Sequence, residues 1–362
     1  MRYPALESLR GLAAVVVVIH HHLNIIFFPY PVDAKGIEAL LLYTPLHLFW
    51  AGGEAVLLFF VLSGFVLSLG YWEGKGLDMQ KFIVRRIWRI WIPFMAAVTI
   101  AYICIKLIGI SPISILPAWF NGNWTQASPS VYLEHALMLG DMDRYSGAFI
   151  GTAWSLKWEM WGSLLLPVVL IWARQPVAIA IAICALFIAL YWQRGAQTDV
   201  AEGLLRYMPM FAIGALLSYH RAFISHWVHL RNKPLLLAIA LLLIPISWYG
   251  YSVINNPLRA TINDYGVLLA SSLLVSLSLG WKRFEVWLEL PILHWLGRIS
   301  FSLYLYHIVI LTVALRLGWH ILPISAILLI SFLLVFPIAH FAYEWIEKPA
   351  IIKGKAIVAK LS

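Results

Sequence analysis

An arginine and a histidine near the start of the chain are the pair whose types and spacing best suit chemistry. Arg10 and His21 lie eleven positions apart within an apolar stretch. On a helix that advances 100° per residue, eleven steps return to within about 20°, so both side chains share one face, roughly 16 Å apart. A neutral imidazole can take a hydroxyl proton near neutral pH. The spacing predicts His21 as a general base, with Arg10 as its distant charge partner.

The residues beside His21 narrow the alternatives for this segment. His20 and His22 flank it directly. Sequential side chains diverge around a helix axis, so these three histidines do not converge on one ion. We therefore predict no metal site. An ordinary core histidine, hydrogen-bonded to a neighbour, remains the other interpretation of this position.

Further polar residues lie in apolar stretches, where ionisable groups are costly and often functional. Ser300, Tyr304 and His307 follow i, i+4, i+7 spacing and predict one polar stripe on a helix. Glu159 lies near the start of another apolar stretch. It is predicted to be a catalytic residue that orients a catalytic group, and pairing with Lys157 or with a residue on another helix is the other interpretation. The residues predicted to contact substrate are Ser63, Trp154, Ser300, Tyr304 and His307.

Three arginines lie at the start of the third apolar stretch: Arg85, Arg86 and Arg89. Arg86 and Arg89 are three positions apart and are expected to share a helix face. Guanidinium groups suit bidentate phosphate binding, so the cluster is predicted to hold a phosphate-bearing co-substrate such as coenzyme A. Anchoring of a membrane segment by positive charge explains part of the same pattern.

Long apolar runs carry these residues. Of the 362 residues, 62% are hydrophobic and 12% are charged, whereas soluble domains carry roughly 25% charged residues. Runs of about 20 apolar residues match the thickness of a hydrocarbon core. The sequence predicts an all-α integral membrane protein without a separate soluble domain. The ten predicted transmembrane helices are 9–28, 47–71, 85–109, 154–173, 176–193, 204–219, 234–252, 263–281, 296–316 and 321–345.

The distribution of basic residues predicts the orientation. With the N-terminus inside, eighteen of the 26 lysines and arginines fall in inner segments and five fall in outer loops. This bias favours both termini on the cytoplasmic side. The net charge is +9. Because the basic residues lie at the ends of the apolar runs, membrane topology explains this charge, and no nucleic-acid partner is predicted. Residues 1–350 are predicted to form the transmembrane domain and 351–362 a short basic tail, with no cleavable signal peptide.

The longest outer loop, about 110–153, combines aromatic and polar residues. Two interpretations stay open for it: a surface that grips a sugar, or an interfacial loop with aromatic anchors. Its residues of interest are Trp119, Trp124, Asp141, Asp143 and Arg144.

Taken together, the motifs resemble the acyltransferase 3 family of bacterial membrane enzymes. Each is weak alone, but they occur in the family's order over nearly the whole chain. They are Arg10-x10-His21, the segment from Phe59 to Phe65, Arg86-x-x-Arg89, Trp154-Ser155-Leu156-x-x-Glu159, Ser300-x-x-x-Tyr304-x-x-His307 and Glu347-Lys348-Pro349.

The resemblance implies transfer of an acyl group, usually acetyl, from cytoplasmic acyl-coenzyme A to a hydroxyl of an extracytoplasmic or lipid-linked saccharide. O-antigen and exopolysaccharide are typical acceptors, and the bacterial inner membrane is the implied location. Arg10 and His21 would be the essential pair, with Arg86 and Arg89 on the coenzyme A side. A covalent acyl intermediate on His21 or Ser63 stays open. The rival prediction is a transporter or flippase of a lipid-linked saccharide.

Overall fold

The computed structural model describes residues 3–31, 34–138, 146–194, 200–249 and 256–361, and within these ranges the chain is helical with no strand. The helices that carry the predicted apolar segments are α1 (Pro4–Phe27), α2 (Gly52–Lys75), α3 (Met79–Ile108), α4 (Ala153–Leu164), α5 (Leu166–Ala173), α6 (Val177–Gln193), α7 (Met208–Tyr219), α8 (Lys233–Leu243), α9 (Asn256–Gly280), α10 (Pro291–Gly318) and α11 (Ile324–Ala359).

Length and composition identify the helices able to cross a membrane. Among the described residues six qualify, namely α1, α2, α3, α9, α10 and α11. The pair α4 and α5 gives a seventh if the two form one span, although they meet at a bend of 66°. Helices α6, α7 and α8 are shorter, with 17, 12 and 11 residues. The chain is therefore an integral multi-pass membrane protein, and ten crossings remain a prediction.

Local sequence explains several helix starts. The Asp78 carboxylate accepts a hydrogen bond from the Lys81 backbone N–H at 3.0 Å, which caps α3. Asn232 caps α8 in the same way, through the Leu235 N–H at 3.1 Å. Such side chains satisfy backbone donors that the first helical turn leaves unpaired. Inside a bilayer the remaining backbone groups must pair within the helix, which favours helices for these apolar runs.

In the described part of the chain, four π-helical turns interrupt the regular helices, at Tyr71–Lys75, Ile87–Trp91, Gly203–Tyr207 and Tyr343–Glu347. A π turn adds a residue to the helical repeat and changes which side chains share a face. The turn at Ile87–Trp91 lies between Arg86 and Arg89. Arg86 is buried there while Arg89 is exposed, so the shared face expected from regular spacing is altered.

The chain packs as two compact units. The first unit comprises residues 1–17, 30–77 and 161–298, and the second comprises 18–29, 78–160 and 299–362. In the first unit, α2 and α7 approach closely through glycine. A Cβ at Gly64 would overlap the Phe211 backbone, and one at Gly214 would overlap the Val61 carbonyl. Small residues permit this backbone approach, as in membrane helix pairs generally.

The second unit contains an apolar core where the segment after α3 meets α10 and α11. Part of the expected outer loop is helical here, at Ala118–Gly122 and Pro129–Leu137. Asp141, Asp143 and Arg144 lie outside the described residues. The core is formed by Ile25, Ile113, Leu116, Phe120, Leu311, Leu315, Ile327 and Leu328.

Candidate active site

The candidate active site in the second unit is built around two histidines from distant parts of the sequence. His21 lies toward the C-terminal end of α1 and His307 in the middle of α10. The His307 Nε2 atom is 3.2 Å from His21 Nδ1. His307 is fully buried and its Nδ1 is 3.1 Å from the Leu303 carbonyl oxygen. The two rings therefore form a hydrogen-bonded line that starts at a backbone carbonyl.

This line assigns the proton positions on both rings. A carbonyl oxygen can only accept a hydrogen bond. His307 Nδ1 therefore carries the proton, and its N–H donates a hydrogen bond to the Leu303 carbonyl oxygen. In a neutral ring, His307 Nε2 is then an acceptor, and the bond is donated by His21 Nδ1–H. A neutral His21 in this tautomer has its lone pair on Nε2. The geometry thus orients His21 as a base, in the manner of a catalytic histidine held by a third group.

The two flanking histidines have different surroundings. His22 is buried, with Nδ1 bonded to the Val18 carbonyl at 2.8 Å and Nε2 to Ser331 Oγ at 3.1 Å. Both of its ring nitrogens are thus engaged in the protein core. His20 accepts a hydrogen bond from Asn24 Nδ2 at 3.0 Å. The core-histidine interpretation that was open for this segment fits His22, while His21 faces the second histidine.

Trp119 brings an aromatic wall to His21. It lies on the short helix Ala118–Gly122, and its ring centre is 6.5 Å from that of His21. The Trp119 Nε1–H donates to the Asn24 backbone carbonyl at 3.2 Å. Trp124 instead is buried and donates to the Phe149 carbonyl. Of the two tryptophans considered for sugar binding, only Trp119 contacts the histidine pair.

Arg316 ties the segment that carries Trp119 to α10. Its guanidinium donates to the backbone carbonyls of Ser111 at 2.9 Å and Asn123 at 3.3 Å. It also lies over the rings of Phe120 and Trp124, at 5.6 and 5.5 Å. This anchoring fixes both ends of the stretch around Trp119.

The predicted stripe on α10 is buried, and two of its members make defined contacts. Ser155 Oγ donates to the Thr152 carbonyl at 2.9 Å, so the Tyr304 hydroxyl donates to Ser155 at 2.6 Å. The Tyr304 ring centre is 6.0 Å from that of His307. Ser300 is buried one turn earlier, and Trp154 is half-buried on α4. The stripe therefore joins α4 to the histidine pair.

Glu159 and Arg86 form a buried ion pair. Arg86 Nη2 is 3.5 Å from Glu159 Oε1, and only 8% and 10% of their side chains are exposed. Removing one partner of such a pair leaves a buried charge uncompensated, which costs far more than the pair itself contributes. Arg85 and Arg89 are both exposed. Arg86 thus differs from the other two arginines, and it already has a carboxylate partner.

A second buried carboxylate lies at the end of the unit. Ser302 Oγ donates to Glu347 Oε2 at 2.6 Å, within the π turn Tyr343–Glu347. Glu344 instead pairs with Lys348 at the surface. Of the two glutamates on α11, Glu347 is therefore the one that faces the helix bundle.

Arg10 and Ser63 belong to the first unit. Arg10 is half-buried on α1 beside Gly11, where a Cβ would lie 2.5 Å from the Gly297 backbone nitrogen. The glycine after Arg10 is thus explained by the close crossing of α1 and α10. Ser63 is buried on α2, next to the Gly64 contact with α7.

Sequence reasoning missed the partner of His21. The polar stripe identified His307 as a buried group, but only as a substrate contact, and nothing local links it to a residue 286 positions away. For Trp119, the sequence indicates an aromatic residue in an outer loop, but not that its ring lies beside His21. Among the residues that the structure describes, no group of three or more His, Cys, Asp or Glu could hold a metal ion.

Comparisons with known proteins add the family. Searches of curated proteins and of solved structures gave no match. The sequence profile of acyltransferase 3, described as an acyltransferase domain, matches residues 3–342. This match spans both units, including His21 and the whole polar stripe on α10. The chain belongs to the acyltransferase 3 family of membrane acyltransferases.

Proposed function

We propose that the chain is an O-acyltransferase that moves an acyl group, in the first instance acetyl, from cytoplasmic acyl-coenzyme A to a saccharide hydroxyl. The acceptor is an extracytoplasmic or lipid-linked glycan such as O-antigen or exopolysaccharide. The observation that carries the proposal is the hydrogen-bonded line from Leu303 through His307 to His21. It supports a neutral imidazole whose Nε2 is oriented to take a proton. Family membership supports acyl transfer as the reaction.

In the proposed reaction, His21 Nε2 takes the proton of the acceptor hydroxyl as its oxygen attacks the thioester carbonyl. The resulting tetrahedral intermediate collapses with cleavage of the C–S bond. The new ester forms, and the coenzyme A thiolate leaves and receives the proton from the His21 imidazolium. During the protonated stage, His21 Nδ1–H continues to donate to His307 Nε2, which stabilises the positive ring. Atoms and charge balance without any oxidant or metal.

The donor side of the proposal uses the arginine cluster. Arg85 and Arg89 would contact the phosphates of coenzyme A, since both side chains are exposed. Arg86 would act at the same end through its ion pair with Glu159. In this arrangement Glu159 is a positioning residue for the donor side rather than a group that touches the acceptor. Arg10 would supply a further positive charge to the donor.

The acceptor side of the proposal uses the second unit's neutral polar groups. Tyr304, Ser300 and Trp154 would line the path of the hydroxyl to His21, with Trp119 as an aromatic wall. Ser63 would contribute a hydroxyl from α2. We further propose ten membrane crossings with both termini inside, in which the short helices α6, α7 and α8 also cross, and a location in the bacterial plasma membrane. The bias of basic residues supports this orientation.

The test compares cell-envelope glycans by mass spectrometry from cells that express the wild-type chain, the His21→Ala variant, or no chain. We expect a glycan mass increased by one acyl group only with the wild-type chain. General-base catalysis contributes typically about 10²–10⁴-fold, so the variant should fall below detection in this assay.

The control is His226→Ala, which replaces an exposed histidine on the helix Arg221–His229. It should acylate like the wild type at equal membrane levels. Continued acylation by well-expressed His21→Ala would overturn the role of His21. Equal glycan masses with and without the wild-type chain, when the envelope polymer is present, would instead favour transport of a lipid-linked saccharide.

A further inference from the structure

A second polar cavity lies in the first unit, apart from the histidine pair. Its volume is about 270 Å³, just below the range of about 300–1,000 Å³ typical of pockets for drug-sized ligands. This space suits one sugar ring better than an extended chain. Its walls are formed by Tyr30, Glu54, Trp192, Arg206, Ser247, Trp248, Arg259, Ala260 and Asn263.

The helix ends that form the cavity share one predicted side of the membrane. Glu54 begins α2 and Trp192 ends α6, while Arg206 precedes α7. Trp248 follows α8 and Asn263 lies near the start of α9. In the orientation predicted from the basic residues, each of these ends is extracytoplasmic. The cavity is thus on the side where a glycan acceptor is found.

One wall of the cavity is an indole ring fixed by charge. Arg206 Nε is 2.8 Å from Asp264 Oδ2, and Arg206 Nη1 is 3.6 Å from Glu202 Oε1. The Trp192 Nε1–H donates to Asp264 at 2.9 Å, and the Arg206 guanidinium lies 4.8 Å from the Trp192 ring centre. Asp264 is fully buried. These contacts hold the Trp192 ring in one orientation before any ligand binds.

The lining of the same cavity carries a second fixed indole. The Trp248 Nε1–H donates to Glu54 Oε1 at 3.1 Å. The Trp248 ring stacks on His47 with centres 3.9 Å apart, and the Tyr30 ring meets it edge-on at 5.0 Å. Glu54 is only 7% exposed, yet it lines the cavity. A buried carboxylate and two immobilised tryptophans therefore line the same cavity.

Neutral hydrogen-bonding groups complete the lining. Ser247 Oγ donates to Asn263 Oδ1 at 2.9 Å, so both are held in place beside the indole rings. Carboxylate and amide oxygens accept hydrogen bonds from hydroxyls, and guanidinium and amide N–H groups donate to them. Rigid aromatic faces supply apolar contact area with little loss of side-chain entropy. A polyhydroxylated ring with apolar C–H faces matches this combination.

The charges argue against other small ligands. A phosphate group would meet the Glu54 carboxylate, and Arg206 is already bonded to two carboxylates. A divalent cation would meet Arg206 and Arg259 on the same lining. Because the lining carries both negative and positive side chains, it favours neither an anion nor a cation. A neutral sugar can instead use the hydrogen-bond donors and the acceptors of this lining.

We propose that this cavity is a saccharide subsite that holds one sugar ring of the glycan acceptor, in contact with Trp192, Trp248 and Glu54. The proposal rests on the proposed function for the identity of the ligand. Its role is recognition of the acceptor chain, without a part in the chemical step. The residues concerned should therefore affect acceptor affinity more than turnover.

The experiment uses the full chain in lipid nanodiscs, with acetyl-coenzyme A as donor. The acceptor probe is de-O-acylated envelope polysaccharide from cells that lack the chain. Coenzyme A release and transferred acetyl are measured against polysaccharide concentration. Trp192→Ala should raise the polysaccharide KM by about tenfold, a typical loss for a buried aromatic anchor, with kcat changed less than about twofold. Glu54→Gln keeps an oxygen for the Trp248 N–H and should raise the KM by about threefold or more.

Two further variants keep the result interpretable. Trp192→Phe retains an aromatic face and should keep most of the affinity that Trp192→Ala loses. Trp227→Ala removes a half-buried tryptophan on the helix Arg221–His229 and should leave both constants unchanged. Size-exclusion profiles and melting temperatures of all variants establish folding. Wild-type KM values in folded Trp192→Ala and Glu54→Gln proteins would overturn the subsite.

Failure of the proposed function would look different. In that case the wild-type chain would release no coenzyme A and transfer no acetyl. Direct binding of the same polysaccharide to the nanodiscs, measured by thermophoresis, still tests the cavity. Binding by the wild type that weakens about tenfold in Trp192→Ala would uphold a saccharide site. No measurable binding by the wild type would overturn it.

Discussion

The histidine pair of the second unit and the cavity of the first unit organise polar groups in opposite ways. Around His21 the groups are neutral and connected in one line, which assigns each proton and ends on a basic nitrogen. Around Arg206 the groups are charged and mutually compensated, with aromatic rings packed against them. A group that must gain and lose a proton needs the first arrangement. A surface that must keep its shape for recognition is well served by the second.

The largest effect that would test this contrast is on stability, in the first unit. Asp264→Asn removes the fully buried carboxylate that accepts from both Arg206 and Trp192. Arg206 would keep only the longer contact to Glu202 among its two ion pairs. Breaking a buried pair from one side costs about 3–5 kcal/mol, and we expect about 3 kcal/mol here. Thermal unfolding of the protein in nanodiscs measures the loss.

Glu289→Gln is the matched control, because Glu289 is exposed in the same unit. Surface substitutions of this kind usually change stability by less than about 0.5 kcal/mol. Equal melting temperatures for the two variants would show that the charged network does not hold the cavity rigid. The contrast between the two regions would then be wrong on the side of the first unit.

The next effect is on catalysis, in the second unit. His307→Ala removes the acceptor for His21 Nδ1–H and with it the assignment of the tautomer. We expect kcat to fall about hundredfold, within the range that general-base catalysis contributes. His307→Gln offers an amide oxygen as an alternative acceptor and should restore part of the loss. The measurement is single-turnover release of coenzyme A by purified protein.

A merely structural role for His307 predicts another pattern. In that case His307→Gln and His307→Ala would lose activity in proportion to their melting temperatures. A folded His307→Ala protein with the same kcat as the wild type would show that His307 does not orient His21. Either result would leave His21 without the partner that distinguishes it from His20 and His22.

The smallest effect concerns the donor side. Arg85→Gln removes an exposed positive charge at the start of α3. We expect the KM for acyl-coenzyme A to rise about threefold at low salt, with a smaller change at high salt because exposed charges are screened. Arg174→Gln is the control, as that arginine bonds Tyr71 in the first unit. A KM that is unchanged at both salt concentrations would shift the phosphate contacts to Arg89.

Several features of the fold follow from sequence alone. Long apolar runs with few charges require helices in a bilayer, since no water satisfies the backbone there. The predicted spans overlap one main helix each or, at 154–173, the bent pair α4 and α5, although α8 ends at Leu243, before the predicted end at 252. The bend between α4 and α5 was not predicted, because Pro167 lies in the first turn of α5, where proline does not by itself require a bend. Spacing also identified the buried stripe on α10, because a regular helix preserves i, i+4, i+7 geometry.

The expected arrangement of the arginines shows where spacing fails. A π turn follows Arg86 and adds one residue to the helical repeat. The side chains of Arg86 and Arg89 therefore do not share the environment that regular helical spacing predicts. The ion pair of Arg86 with Glu159 joins residues 73 positions apart. No local pattern identifies such a partner, because the contact depends on how α3 and α4 pack.

By itself the sequence determined the membrane class, the helices and the presence of His21 within one of them, since these depend on composition and on distances along a single helix. Tertiary structure decided which of the three adjacent histidines bonds the buried His307, because hydrogen-bond partners from α10 and α11 distinguish them. It also decided that Glu54, Trp192, Trp248 and Asn263 surround one cavity. These residues are up to 209 positions apart, and only the packing of several helix ends brings them together.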